Sequence, residues 1–259
     1  MTRAATCRPR QRGTRWRLTW LLGALILAAA LPAAMLGWLG AWNASPYVEL
    51  PARTGQAGTG RYAAVLLSGD MGLRAGLGGE LARRLADHGI STVAVNSLTY
   101  FKQRRTPGDV SNLLAGAIRR AMALGKTGRV IVLGQSFGSD MVHVGLEHLP
   151  PDMRRHVALV VLTVPTRTVF LRVSPLEWLD RTPPDAPALP SASKLNWVPV
   201  VCIRGRDEPD SLCPLLHLPN LTRIVLPGDH YLGKDADRLF GAVSDAIARH
   251  ALPGPAASR

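Results

Sequence analysis

The chain of 259 residues is 47% hydrophobic and carries a formal net charge of +13, and its length and apolar content suit one sizeable α/β domain with an appendage. A basic balance is typical of nucleic-acid-binding proteins, but no basic patch interleaved with aromatic residues is present, so nucleic acid is not expected as a partner. Neither a C-x-x-C nor an H-E-x-x-H motif occurs, and no metal or other cofactor is expected.

The first predicted element is an apolar segment, residues 18–42, which contains no charged side chain. As a helix it is long enough to cross about 30 Å of hydrocarbon. The preceding tail, residues 1–17, holds six arginines and no acidic residue, which predicts a cytoplasmic amino terminus. We therefore expect a membrane anchor, with everything after it outside the cytoplasm. The alternative is a cleaved export signal, but the segment is long and Gly40–Ala44 is a poor cleavage site.

The rest of the chain is predicted to be a linker (43–61), one α/β domain (62–250) and a short tail (251–259). Within the domain, apolar runs alternate with amphipathic stretches, which is typical of a mostly parallel sheet with helices on both faces. The predicted strands are residues 63–67, 91–95, 129–133, 157–162, 198–203 and 222–226. Residues 171–196 are rich in proline and interrupt this alternation, so we interpret them as a short cap over the active site. A disordered insertion is the alternative.

The motif G-x-S-x-G occurs at Gly134–Gly138. It follows an apolar strand and precedes a predicted helix, which is the arrangement of the nucleophile elbow in α/β hydrolases. Small glycines permit the sharp turn that lifts the serine oxygen above the sheet. Ser136 is therefore the candidate nucleophile of a serine hydrolase.

A serine nucleophile needs a histidine base and an acid that orients the histidine, and in this fold the chain order is serine, acid, histidine. His230 follows the last predicted strand and is the candidate base; the alternatives are His143 and His148 on the nucleophile helix. The candidate acid is Asp210, because D-x-x-x-P resembles the usual acid loop of these enzymes. Within the same loop, Asp207 and Glu208 are the alternatives.

Two backbone amides are expected to stabilise the oxyanion. One belongs to Phe137, directly after the nucleophile, and the other to Asp70 or Met71, in the turn after the first strand of the domain. The Asp70 carboxylate is also a candidate for binding a substrate ammonium group, although a role in fixing its loop is the alternative. Asp140 lies one turn along the nucleophile helix and is expected to be structural.

Cys202 and Cys213 both lie in the part of the chain predicted to be exported, where an oxidising environment lets thiols pair. We expect a disulfide between them; two buried free thiols are the alternative. The basic surface is expected to favour anionic lipid headgroups at the membrane, or else to be only a soluble basic surface.

Several short segments together resemble the VirJ family, which also occurs as a domain of the acid-virulence protein AcvB. The segments are Leu67–Asp70, Ser97–Phe101 with Arg105–Pro107, Gly134–Asp140, Asp210–Pro214 and Pro227–His230. The resemblance implies a periplasmic α/β hydrolase at the bacterial inner membrane. It also implies an aminoacylated lipid as substrate, since AcvB-like members release lysine from lysyl-phosphatidylglycerol, and a link to virulence and to type IV secretion proteins.

The chain departs from the family at two places that border the predicted pocket. Met71–Leu73 stands where Gly-Gly-Trp is common, and Gln135 stands where tyrosine is common, so Gln135 is a candidate substrate-binding residue. In the expected mechanism, Ser136 attacks the aminoacyl ester and His230 passes the proton to the glycerol oxygen. A general periplasmic esterase or lipase, and a non-catalytic accessory protein of type IV secretion, are the alternative functions.

Overall fold

The computed structural model describes residues 12–53, 60–174 and 182–250, and in the first helix it describes side chains from Trp20 onward. Most of the predicted cytoplasmic tail, part of the predicted linker, part of the predicted cap and the carboxy-terminal tail lie outside the described residues. The chain forms two compact units, Met1–Trp38 and Leu39–Arg259.

The first unit is built on helix α1, Arg12–Leu39, which contains Pro32. Its stretch Trp20–Leu39 is long and apolar enough to cross a membrane. Several large apolar side chains along this stretch are more than 60% exposed, including Trp20, Leu25 and Ile26. An exposed apolar surface of this kind is typical of a segment that contacts lipid or another apolar partner. An export signal has the same composition, so the helix is a candidate span or signal by length and composition.

The second unit contains a seven-stranded sheet in the order β1-β3-β2-β4-β5-β8-β9. Only β1 runs antiparallel, to β3, and the other neighbouring pairs in this sheet are parallel. The strands are β1 (Tyr47–Leu50), β2 (Ala63–Leu67), β3 (Ser91–Val95), β4 (Val130–Gln135), β5 (Val157–Thr163), β8 (Val200–Gly205) and β9 (Leu221–Leu226). A small separate hairpin pairs β6 (Thr168–Val169) with β7 (Ala186–Pro187).

Helices connect the parallel strands and cover the sheet. They are α2 (Gly78–Asp87), α3 (Ser97–Phe101), α4 (Pro107–Gly125), α5 (Phe137–Glu147), α6 (Pro151–Arg154), α7 (Leu189–Ala192), a short 3₁₀ turn (Leu232–Lys234) and α8 (Ala236–His250). Strands β2 and β3 are buried at every position, as expected for a parallel sheet covered on both faces. All six predicted strands are present within two residues of their expected bounds, and the α/β-hydrolase architecture is confirmed.

The predicted linker is partly wrong, because β1 lies inside it and completes one edge of the sheet. Tyr47 pairs with Val95 and Leu50 with Thr92, and the Tyr47 hydroxyl donates to Leu113 O at 3.2 Å. Four residues between two prolines give too short a pattern for a strand to be recognised. The domain thus begins before residue 62.

The chain directly after the apolar helix is also part of the second unit. The carbonyl oxygens of residues 39–41 accept hydrogen bonds from the side chains of Asn96 (3.0 Å), Thr99 (2.8 Å) and Lys102 (3.1 Å). Leu39 and Ala41 are buried. These contacts all lie within the second unit, which therefore begins at Leu39.

Candidate active site

The nucleophile elbow is built by backbone strain at Ser136 and by the two glycines that flank it. Ser136 has φ 55° and ψ −126° between β4 and α5, a conformation that a non-glycine residue rarely adopts. A Cβ at Gly134 would collide with the backbone of Ser139, and one at Gly138 would collide with the carbonyl groups of Leu67 and Ser68. Glycine is thus required at both positions for α5 to pack against β2 and β4.

The histidine lies in the loop after β9, as its place in the sequence predicts. The Ser136 Oγ is 2.7 Å from His230 Nε2. Gly228 turns the loop with φ +96°, and Gly205 at the end of β8 leaves room for the carbonyl of Asp229. The structure therefore brings the candidate nucleophile and the candidate base into direct hydrogen-bond contact.

The carboxylate that contacts His230 is Glu208, and the expectation for Asp210 is corrected. Glu208 Oε1 is 2.5 Å from His230 Nδ1, and the Glu208 side chain is 2% exposed. Asp210 is instead 62% exposed and faces Arg167 at 3.8 Å. Asp210, two residues after Glu208, is therefore directed toward Arg167 and not toward the imidazole. Sequence order alone could not separate the acidic residues of this loop, since burial of Glu208 becomes visible only in the fold.

Hydrogen-bond capacity fixes the tautomer of His230. An ionised carboxylate only accepts, so Nδ1 carries the hydrogen toward Glu208 and Nε2 is left to accept the Ser136 hydroxyl. Burial lowers the pKa of His230, but the hydrogen bond and the charge of Glu208 outweigh it. The pKa therefore lies above its usual 6.5, which stabilises the imidazolium that forms when Ser136 loses its proton.

The expected oxyanion donors border the same site. Phe137 is the first residue of α5, and the first N–H groups of a helix have no acceptor within the helix. Of the two alternatives in the turn after β2, the Met71 N–H donates to Asp70 Oδ1 at 3.0 Å. That bond engages the Met71 amide within the loop.

A cavity of about 750 Å³ opens above Ser136 and His230, large enough for a drug-sized molecule. Gln135 lies in the cavity wall. Its side-chain oxygen packs closely against Gly69 and Gly76, since a Cβ added at these glycines would lie 3.0 Å and 3.2 Å from Gln135 Oε1. Two carboxylates, Asp70 and Glu80, also line it. Glu80 is paired with Arg83 and Arg84, whereas the carboxylate of Asp70 accepts the Met71 amide.

The other histidines considered from the sequence do not reach the nucleophile. The buried His143 Nδ1 is 2.9 Å from Ser191 Oγ in α7, and His148 is half-exposed beside Glu147. The expected disulfide is confirmed: Cys202 in β8 is bonded to Cys213, with their Cα atoms 5.6 Å apart. It closes the loop that carries Glu208.

Solved structures of similar fold are mainly hydrolases. Proline iminopeptidase of Mycobacterium smegmatis has a TM-score of 0.56 at 14% identity, covering 79% of this chain and 94% of its own. Est1E from Butyrivibrio proteoclasticus has 0.54 at 13%, covering 78% and 94%. A cold-adapted esterase from an Arctic intertidal metagenomic library has 0.55 at 17%, covering 80% and 88%. At these identities the likeness establishes the α/β-hydrolase fold.

No curated protein sequence matches the chain. The family model described as bacterial virulence protein (VirJ) matches residues 61–251, well over half of the chain. This range contains Ser136, Glu208 and His230. The chain belongs to the VirJ family.

Proposed function

We propose that the protein is a serine hydrolase that cleaves an ester through an acyl-enzyme formed on Ser136. The observation that carries this proposal is the continuous contact from Ser136 Oγ to His230 Nε2 and from His230 Nδ1 to Glu208 Oε1. His230 removes the serine proton as the hydroxyl attacks the ester carbonyl, and the buried Glu208 stabilises the imidazolium. His230 then protonates the departing alcohol. In the second half of the reaction His230 removes a proton from water, the resulting hydroxide attacks the acyl-enzyme carbonyl, and His230 returns the proton to the Ser136 oxygen as the acid leaves.

The oxyanion that forms during attack is stabilised by the amides of Phe137 and Asp70. Phe137 supplies a first-turn amide of α5, next to the nucleophile. Asp70 is the better second donor, because the amide of Met71 is engaged by the Asp70 carboxylate. Removal of one such donor typically costs about 3 to 4 kcal/mol of transition-state stabilisation.

The substrate we propose is the aminoacyl ester of lysyl-phosphatidylglycerol, following the resemblance to AcvB-like members of the family. A carboxylate in the cavity wall suits a lysyl ammonium group, and Asp70 lies in that wall with Ser136 and His230. The apolar helix, kept as a membrane anchor, holds the catalytic unit beside lipid. The hydrogen bonds to the carbonyls of residues 39–41 favour an anchor that stays attached.

In this proposal the catalytic unit lies on the periplasmic side of the inner membrane, as the arginine-rich amino terminus favours. The disulfide Cys202–Cys213 agrees with an oxidising compartment. Anionic phospholipid is then the surrounding surface as well as the source of substrate. A virulence phenotype and an association with type IV secretion proteins are proposals that rest on the family resemblance.

The test uses full-length protein in vesicles that contain lysyl-phosphatidylglycerol, with release of free lysine as the readout. Ser136→Ala and His230→Ala are expected to abolish release, whereas His148→Ala, which changes a half-exposed histidine just after the end of α5, retains it. Undiminished release by Ser136→Ala would refute the serine mechanism. Faster turnover of simple esters than of the aminoacyl lipid would favour a general esterase. Protein binding that is independent of Ser136, with no hydrolysis, would favour an accessory role in secretion.

A further inference from the structure

Asp140 lies in α5, four residues after Ser136, and is not among the residues that line the cavity. It is 4% exposed. Its Oδ1 accepts the Thr166 N–H at 3.0 Å, and its Oδ2 is 2.9 Å from the Thr166 hydroxyl. A single buried side chain thus fastens the first turns of α5 to the loop that follows β5.

That loop in turn holds the segment that carries Glu208. Thr166 forms an antiparallel bridge with Ser211, and Pro165 O accepts the Leu212 N–H at 2.9 Å. Arg167 donates to Pro209 O at 2.9 Å. The contacts therefore run from the nucleophile helix through residues 165–167 to the loop 209–212, immediately after the acid.

The loop after β5 is strained, so these contacts have a conformation to maintain. Val164 has φ +48°, which is unfavourable for a β-branched residue and persists only where the surroundings fix it. Val164 itself is held, because its N–H donates to Ile203 O at 2.7 Å, and Thr166, two residues further along, is bound by Asp140.

Hydrogen counting indicates the charge of Asp140. The Thr166 hydroxyl has one hydrogen, yet its oxygen lies 2.9 Å from Asp140 Oδ2 and 2.8 Å from Thr168 O. A carbonyl only accepts. Both contacts are satisfied together if Thr166 donates to Thr168 O and a protonated Asp140 donates to Thr166.

The neighbouring histidine agrees with a neutral acid. Ser191 Oγ donates to Ala188 O at 3.1 Å, so His143 Nδ1 carries the hydrogen toward Ser191. In a neutral ring Nε2 is then an acceptor; it has no hydrogen-bond partner among the described residues and lies 3.7 Å from Asp140 Oδ1. Facing an ionised carboxylate, such an acceptor would be repelled. Burial is the largest influence on the pKa of Asp140 and raises it above its usual value, against smaller opposing effects of His143 and Thr166.

We propose that Asp140 is a positioning residue, held as a neutral carboxylic acid, that aligns the Glu208 loop with the nucleophile helix. It does not touch substrate. Its neutrality suits its place one turn after Ser136, because a carboxylate there would oppose the negative charge that forms at the oxyanion. The proposal rests on the proposed serine-hydrolase function for its effect on rate, but its geometric part is independent of turnover.

The test compares Asp140→Asn with Asp140→Ala in the full chain, reading both kcat and the pKa of His230 by ¹⁵N-histidine NMR. Asparagine keeps the acceptor for the Thr166 amide and supplies a donor to the Thr166 hydroxyl, so D140N retains the wild-type pKa and kcat within about twofold. D140A lowers kcat by about 10- to 100-fold at unchanged KM. It also shifts the His230 pKa down, toward its value in Glu208→Gln.

Two results would overturn the proposal. An unchanged His230 pKa and kcat in D140A would show that Asp140 positions nothing, and a D140N variant as damaged as D140A would show that Asp140 is ionised. Should D140A fail to fold, Thr166→Val and Thr166→Ser carry the same comparison, with the valine variant expected to lose alignment and the serine variant to keep it. Hydrolysis by Ser136→Ala tests the proposed function separately, since the NMR measurement needs no turnover.

Discussion

The assignment of Glu208 as the acid makes a sharp prediction for Glu208→Gln. The substitution removes a negative charge whose oxygen lies 2.5 Å from His230 Nδ1. With charge centres about 3.5 Å apart and an effective dielectric constant of about 20, the lost attraction to the imidazolium is about 5 kcal/mol. At 1.36 kcal/mol per tenfold change in rate, kcat is expected to fall by about 10³- to 10⁴-fold.

Asp210→Asn is the matched control, because it neutralises an exposed acid two residues away in the same loop. Its partner is Arg167 at 3.8 Å with both side chains about half-exposed, and such pairs contribute little. Steady-state hydrolysis of the same ester by both variants, with circular dichroism to verify folding, makes the comparison. The reasoning is refuted if D210N loses the activity and E208Q keeps it.

Three further predictions concern the base, the disulfide and the elbow. Because His230 must be neutral to accept the serine proton and its pKa is raised above 6.5, kcat/KM is expected to decline as pH falls through that raised pKa; in E208Q the decline moves to lower pH, and an unmoved profile would contradict the assignment. Reduction of Cys202–Cys213 is expected to cost about 2 to 3 kcal/mol and so to lower Tm by roughly 5 to 10 °C in a thermal melt, and no change would show that packing alone fixes the loop. Gly138→Ala is expected to destabilise the protein by at least about 1 to 3 kcal/mol in urea unfolding, because the added methyl meets backbone carbonyl oxygens; Gly241→Ala, where the space is open, is the control and is expected to be neutral.

The sequence predicts the fold well because its strongest signals are local. The buried strands are continuous apolar runs, and the elbow at Ser136 needs glycines at fixed spacing, so both are visible without tertiary information. His230 is found because it directly follows the last strand. The Cys202–Cys213 pair is found from compartment and proximity.

The wrong or missing predictions concern residues whose role depends on their burial and contacts in the folded chain. Asp207, Glu208 and Asp210 all carry carboxylates and lie in one loop, and only the folded chain buries Glu208 beside His230 and places Asp210 near Arg167. Strand β1 falls inside the predicted linker because an edge strand of four residues has too short a pattern to be recognised. Asp140 carries no sequence signal for its contact with Thr166, 26 residues away.

Covalent trapping tests the central claim most directly. Full-length protein treated with a fluorophosphonate, which reacts with activated serine hydroxyls, is digested and analysed by mass spectrometry. The account predicts one adduct on the peptide that contains Ser136, formed much more slowly in His230→Ala and E208Q and at the wild-type rate in D210N. Hydrolytic turnover by protein that carries no adduct at Ser136, or equal labelling in His230→Ala, would contradict it.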